Sequence, residues 1–127
     1  MRRTDQRRAA VVALYQEDVT GRPLTEVVAR DAPIFTKELV EGVEVEREEI
    51  DALIERFAEG WTLDRIAPLE RNILRVALHE MLHRHDVPDE VAIDEAVEAA
   101  KELCGAEAPK FVNGILGAVQ REQETAR

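Results

Sequence analysis

At 127 residues the chain is sized for one domain spanning 1–127, and a fold of this length buries roughly two-thirds of the surface its unfolded chain exposes, enough for a core without staples. Charged residues are 35% of it, no window is apolar for the length a bilayer demands, and Cys104 is the only cysteine, so the composition predicts no membrane span, no intrachain disulfide and a reducing, cytoplasmic setting. The formal charge of −10 argues against nucleic acid unless the cations are gathered in one place; residues 1–8 carry four arginines against one aspartate, leaving −13 to the remainder.

That basic start runs into only a short apolar patch, Ala9 to Leu14, with Gln16, Glu17 and Asp18 close behind, too brief for a signal peptide. Residues 1–8 read either as a solvated tail or as a phosphate-binding arm joined to an acidic body suited to a basic partner. From Thr4 to Val19, Val11, Leu14, Tyr15 and Val19 recur at helical steps, and Gly21 and Pro23 end the segment. A short helix is predicted within Pro23–Arg30. Pro33 opens another whose apolar positions are Ile34, Phe35, Leu39, Val40 and Val43.

Between Glu46 and Glu59 the spacing of Ile50, Leu53, Ile54 and Phe57 gives an apolar stripe closed by Gly60, and Trp61 in the following connector is expected to anchor the core. Pro68 starts the strongest helix, with Leu69, Ile73, Val76, Ala77, Leu78, Met81 and Leu82 covering so much of its circumference that it should be central. After the break at Asp86–Pro88, Val91-Ala92-Ile93 reads as a short extended lead-in to Asp94, the expected N-cap of a helix to Leu103 that Gly105 stops. Pro109 precedes the last helix, which turns Phe111, Val112, Ile115, Leu116 and Val119 inward, with Gly114 and Gly117 permitting close contact; residues 120–127 are expected to fray.

His79-Glu80-Met81-Leu82-His83 matches H-E-x-x-H, in which two imidazoles one turn apart bind zinc and the glutamate activates water. Against a zinc site stand the lack of a third ligand, His85 lying on another side of the helix and Glu98 and Glu102 being distant, the cation Arg84 beside the pair, and the absence of predicted strands on which to lay a substrate. The histidines are therefore expected on the exposed side of their helix, with no metal and no cofactor bound. No Gly-rich phosphate loop occurs, Cys104 has no evident base, and the sequence has no serine, so no catalytic constellation is predicted.

The Arg-rich start leads into Ala13-Leu14-Tyr15, followed by Leu39-Val40-Glu41-Gly42-Val43, Trp61-Thr62-Leu63-Asp64-Arg65, Arg71-Asn72-Ile73-Leu74-Arg75-Val76-Ala77, Val87-Pro88, Val91-Ala92-Ile93-Asp94-Glu95-Ala96-Val97 with Ala100-Lys101, and Lys110-Phe111-Val112-Asn113-Gly114-Ile115-Leu116. In that order and spacing the chain resembles the NusB family over nearly its whole length. The resemblance implies a compact all-α fold of about seven helices in two packed bundles, and a non-enzymatic factor in processive antitermination of ribosomal RNA operons. Such factors bind single-stranded boxA RNA together with NusE, a small-subunit ribosomal protein, within a larger assembly of Nus factors and RNA polymerase. His79 and His83 then fall where the family commonly carries an aromatic and a varied surface residue.

Arg2, Arg3, Arg7 and Arg8 are the expected RNA contacts, their guanidiniums reaching several phosphates or stacking on bases. If all four contact phosphates, log affinity against log salt should have a slope of about −3. Tyr15, Lys101, Lys110, Phe111 and Asn113 match family positions near which RNA contacts are expected, Tyr15 and Phe111 fitting a core role equally. An acidic body suits docking of a basic ribosomal protein. Gly105-Ala106-Glu107-Ala108-Pro109 departs from the acidic, hydroxyl-bearing loop of relatives, which puts partner contacts there in doubt. Whether the protein is a monomer or a homodimer stays open. The rival readings are a helical protein-interaction module without RNA specificity, since the same fold is appended to some RNA methyltransferases as a targeting domain, and a zinc hydrolase acting through His79, Glu80 and His83.

Overall fold

The computed structural model describes residues 1–126; Arg127 lies outside the described residues. Among them there are seven α-helices and no strand: α1 (Arg3–Thr20), α2 (Leu24–Val27), α3 (Ile34–Val45), α4 (Arg47–Phe57), α5 (Pro68–His83), α6 (Asp89–Leu103) and α7 (Ala108–Ala126), with a 3₁₀ turn at Leu63–Arg65 before α5. All five prolines punctuate helix starts. Pro23, Pro33 and Pro88 are the residues just before α2, α3 and α6, Pro68 opens α5, and Pro109 is the second residue of α7, positions where a missing N–H costs nothing. Gly21, at φ +75°, closes α1 by donating its N–H to the Glu17 carbonyl, and Gly60, at φ +82°, turns the chain out of α4.

α5 is the shared element. It packs against α1 and α3 on one side and against α4, α6 and α7 on the other, while α2 leans on α1 and α6 pairs with α7. Two helical bundles thus meet along α5, which is buried without interruption from Asn72 through Met81. Six of those ten residues are its apolar stripe. The other four are Asn72, Arg75, His79 and Glu80, polar groups that must find partners inside. Asp18 of α1 supplies one hub: it accepts two bonds from Arg71 at 2.8 and 2.9 Å, one from Asn72 at 2.9 Å and one from Arg75 at 3.0 Å, and Arg75 also pairs with Asp51 of α4 at 2.8 Å. Burial works against the charged form of Asp18, but the hydrogen bonds from Arg71 and Asn72 outweigh it and hold the carboxyl below the ordinary aspartate value.

Several sequence expectations are overturned. Val91-Ala92-Ile93 is helical, because Pro88 already sets the extended residue before α6 and Ala92, Ile93, Ala96, Ala99 and Ala100 form a buried stripe only if the helix begins at Asp89; Asp94 is an exposed residue of its second turn rather than the cap. Residues 120–126 stay helical, assisted by an Arg56–Glu122 ion pair at 2.7 Å and a hydrogen bond from Gln120 to Glu90. Ile34 and Val19 lie at the ends of their helices and face solvent. Trp61 is not a core anchor, being 53% exposed; Gly60 swings the chain outward, and Ile66 enters the core instead.

Candidate nucleic-acid interface

The basic N-terminus is not an arm. Residues from Arg3 onward form the first turns of α1, laid along α5 and α6, whose carboxylates receive the guanidiniums. Arg7, 6% exposed, makes a bidentate pair with the buried Glu80, Nε to Oε1 at 2.8 Å and Nη2 to Oε2 at 2.9 Å, short charge-assisted bonds that commit it to the interior rather than to a ligand. Arg8 is held more loosely by α6: Nε lies 3.4 Å from Glu102 Oε2 and Nη1 lies 3.8 Å from Glu95 Oε2. Arg3 pairs with Asp86 at 3.4 Å and lies 4.2 Å above the Phe35 ring, with Arg84 on the same ring at 5.2 Å. Arg2 is fully at the surface, 3.5 Å from Asp5. Hydrogen bonding from Arg84 draws the exposed Asp86 carboxyl down to about 2, so it is anionic at any physiological pH.

A second cluster forms where the end of α4 faces the start of α7. An open groove of about 800 Å³ runs between them, lined by Phe57, Trp61, Phe111, Arg56, Lys110 and Arg121 among others. Lys110 and Trp61 are exposed and Phe111 is half-buried, so aromatic faces and cations share one accessible channel, with the exposed Glu59 and Glu107 on its lining as well. Of the secondary sequence candidates, Lys110 and Phe111 line this groove, and Asn113 is exposed on the same helix. Lys101 is exposed on α6 beside Glu102 and pairs with Glu98 at 3.2 Å; Tyr15 is half-buried on α1. Sequence reasoning missed Trp61, Arg56 and Arg121 as groove residues. Only the glycine before Trp61, which allows the chain to turn outward, carried a signal.

Of the H-E-x-x-H pair, His83 is exposed as the sequence suggested and His79 is not. His79 is 5% exposed, not at the surface, with its Nδ1–H donating to Glu46 at 2.6 Å, while His83 Nε2 lies 2.8 Å from Glu49. The reason is Gly42: with no Cβ, α3 comes so close that the His79 ring fills the space a side chain would need. Glu80, which a zinc peptidase would use on water, is spent on Arg7. Among the described residues no three His, Cys, Asp or Glu side chains are grouped to hold a metal ion. Cys104 is half-buried, and burial, then the charge of Glu70, pushes its thiol up, away from thiolate chemistry.

Comparison with known proteins accords with this architecture. Residues 4–121 match the NusB family. A transcription antitermination protein NusB of Rubrobacter xylanophilus is 46% identical, the match covering 91% of this chain and 88% of that protein. The crystal structure of T. maritima NusB superposes with a TM-score of 0.88 at 34% identity, covering 96% of this chain and 92% of the other. A structure of antitermination factors NusB and NusE in complex with double-stranded RNA gives a TM-score of 0.83 at 28% identity, over 96% and 99% of the two chains.

Proposed function

This chain belongs to the NusB family of transcription antitermination factors, and from that premise we infer that it binds the boxA segment of nascent ribosomal RNA, jointly with the ribosomal protein NusE, to keep RNA polymerase processive. The observation that carries the reading is the groove between α4 and α7, where Trp61 and Phe111 offer stacking faces and Lys110 and Arg121 offer charge, Arg56 being already paired with Glu122 at 2.7 Å. That pairing is what a single strand requires, since every base has a face to stack and every link a phosphate to neutralise. Arg2, just before α1, and Arg3, at its start, add two exposed cations and the mostly covered Arg8, 15% exposed, a third, with Lys101, Asn113 and Tyr15 as secondary contacts. Arg7 has a structural part in this reading, so the expected salt slope from α1 falls to about −2. The complex works in the cytoplasm, alongside other Nus factors, and the acidic surface of the remaining helices suits a basic protein partner through electrostatic steering.

The test is fluorescence anisotropy of labelled boxA RNA and a scrambled control, titrated with and without NusE at several salt concentrations. Selective binding that tightens with NusE and weakens with salt is expected. Equal affinity for both RNAs in both conditions would refute the reading and leave a helical protein-interaction module.

A further inference from the structure

The ion pairs along α1 sort the arginines into two kinds. Arg7 is locked to Glu80 by two short bonds between groups that are almost fully buried. Arg8 and Arg3 are held by carboxylates at 3.4 Å or more, longer than the 2.7–2.9 Å of a well-made charge-assisted bond, and those carboxylates, Glu102 and Asp86, are 64% and 50% exposed. Glu102, once Arg8 turns to another anion, is left to water at little cost, and Asp86, once Arg3 leaves, keeps its two bonds from Arg84 at 3.0 Å. Glu95 is different: its Oε2 is buried without a hydrogen bond and lies 3.8 Å from Arg8 Nη1, so Arg8 keeps this partner and only Glu102 has to be displaced.

The geometry points to Glu102 and Asp86 as internal competitors of RNA phosphate: they neutralise Arg8 and Arg3 in the free protein, must be displaced when a strand docks, and so set how tightly polyanions bind. The inference rests on the RNA-binding reading for the identity of the ligand, though not for the competition itself. Because the carboxylates oppose any phosphate equally, they weaken boxA and unrelated RNA by the same factor and leave discrimination between sequences to the groove.

The experiment compares wild type, Glu102→Gln, Asp86→Asn, Arg8→Gln, the Arg8→Gln/Glu102→Gln double variant and Glu44→Gln, an exposed acid near the far end of α3. Each is titrated against labelled boxA RNA, scrambled RNA and inorganic polyphosphate, after circular dichroism has shown native folding. Removing either competitor should tighten all three ligands about two- to fivefold, the size of an exposed ion pair, with the boxA-to-scrambled ratio unchanged. The salt slope should steepen by up to about 0.7, because no freed carboxylate recaptures a cation. Glu44→Gln should do much less, and Glu102→Gln should have no effect once Arg8 is gone. Unchanged affinities, tightening matched by Glu44→Gln, or tightening that persists without Arg8 would overturn the inference. If wild type binds neither RNA yet Glu102→Gln tightens polyphosphate, the RNA reading falls and the competition stands.

Discussion

Glu80→Gln separates the architecture from the motif it imitates. In a metallopeptidase the glutamate of H-E-x-x-H is a base, and its amide variant is inactive but folded. Here Glu80 is 1% exposed and receives both nitrogens of a bidentate Arg7, joining α1 to α5. Gln keeps the shape but removes the charge, leaving a buried guanidinium with only the Glu95 carboxylate 3.8 Å away. Breaking one side of a buried pair costs about 3–5 kcal/mol, a large share of the ~5–15 kcal/mol that holds a domain together. For a chain of this size the loss corresponds to a fall in Tm of roughly 10–20 °C. Urea and thermal unfolding followed by circular dichroism measure it, and a double-mutant cycle with Arg7→Met and Glu80→Leu supplies the control: removing both charges together should cost less than removing either alone. A Glu80→Gln variant within about 1 kcal/mol of wild type would refute this account of how α1 is held.

Asp18→Asn should destabilise by about 2–3 kcal/mol, because a charged acceptor shared by Arg71, Asn72 and Arg75 becomes a neutral one. Its folded pKa lies below the unfolded value, so the stabilisation is present above about pH 4 and is lost as pH falls through the folded value; denaturation curves of wild type and variant should converge in acid. Gly42→Ala places a Cβ against the buried His79 ring, and overpacking of about 1–3 kcal/mol should exceed the ~1 kcal/mol gain in helix propensity. In a His79→Ala background the same change should be neutral or stabilising, read by the same unfolding curves. Trp61→Ala should leave Tm nearly unchanged, as the indole is mostly exposed, but weaken boxA binding by about 1–3 kcal/mol if a base stacks there; unaltered affinity would remove Trp61 from the interface.

The helices were legible because their determinants are local. Apolar residues at three- and four-residue steps marked the cores of α1, α3, α4, α5 and α7, and proline with glycine marked most boundaries. The α6 start was misplaced because two cues competed: β-branched Val91 and Ile93 around Ala92 suggest an extended run, and only packing against α5 and α7 shows that the alanine stripe behind them is the buried face. Candidate site residues were partly legible. Lys110, Phe111 and the N-terminal arginines stood out by type, yet type cannot say which guanidinium meets a carboxylate from a helix more than seventy residues away, as Arg7 does with Glu80.

By itself the sequence determined an all-helical chain, the central standing of α5 and, through the order of its motifs, the family, since periodicity, punctuation and motif spacing are properties of the chain alone. Only the tertiary structure decided what the charges do. Burial and partner distance separate Arg7 from Arg8, draw His79 inward against a glycine and turn Trp61 out beside Phe111, and these depend on which helices are brought side by side.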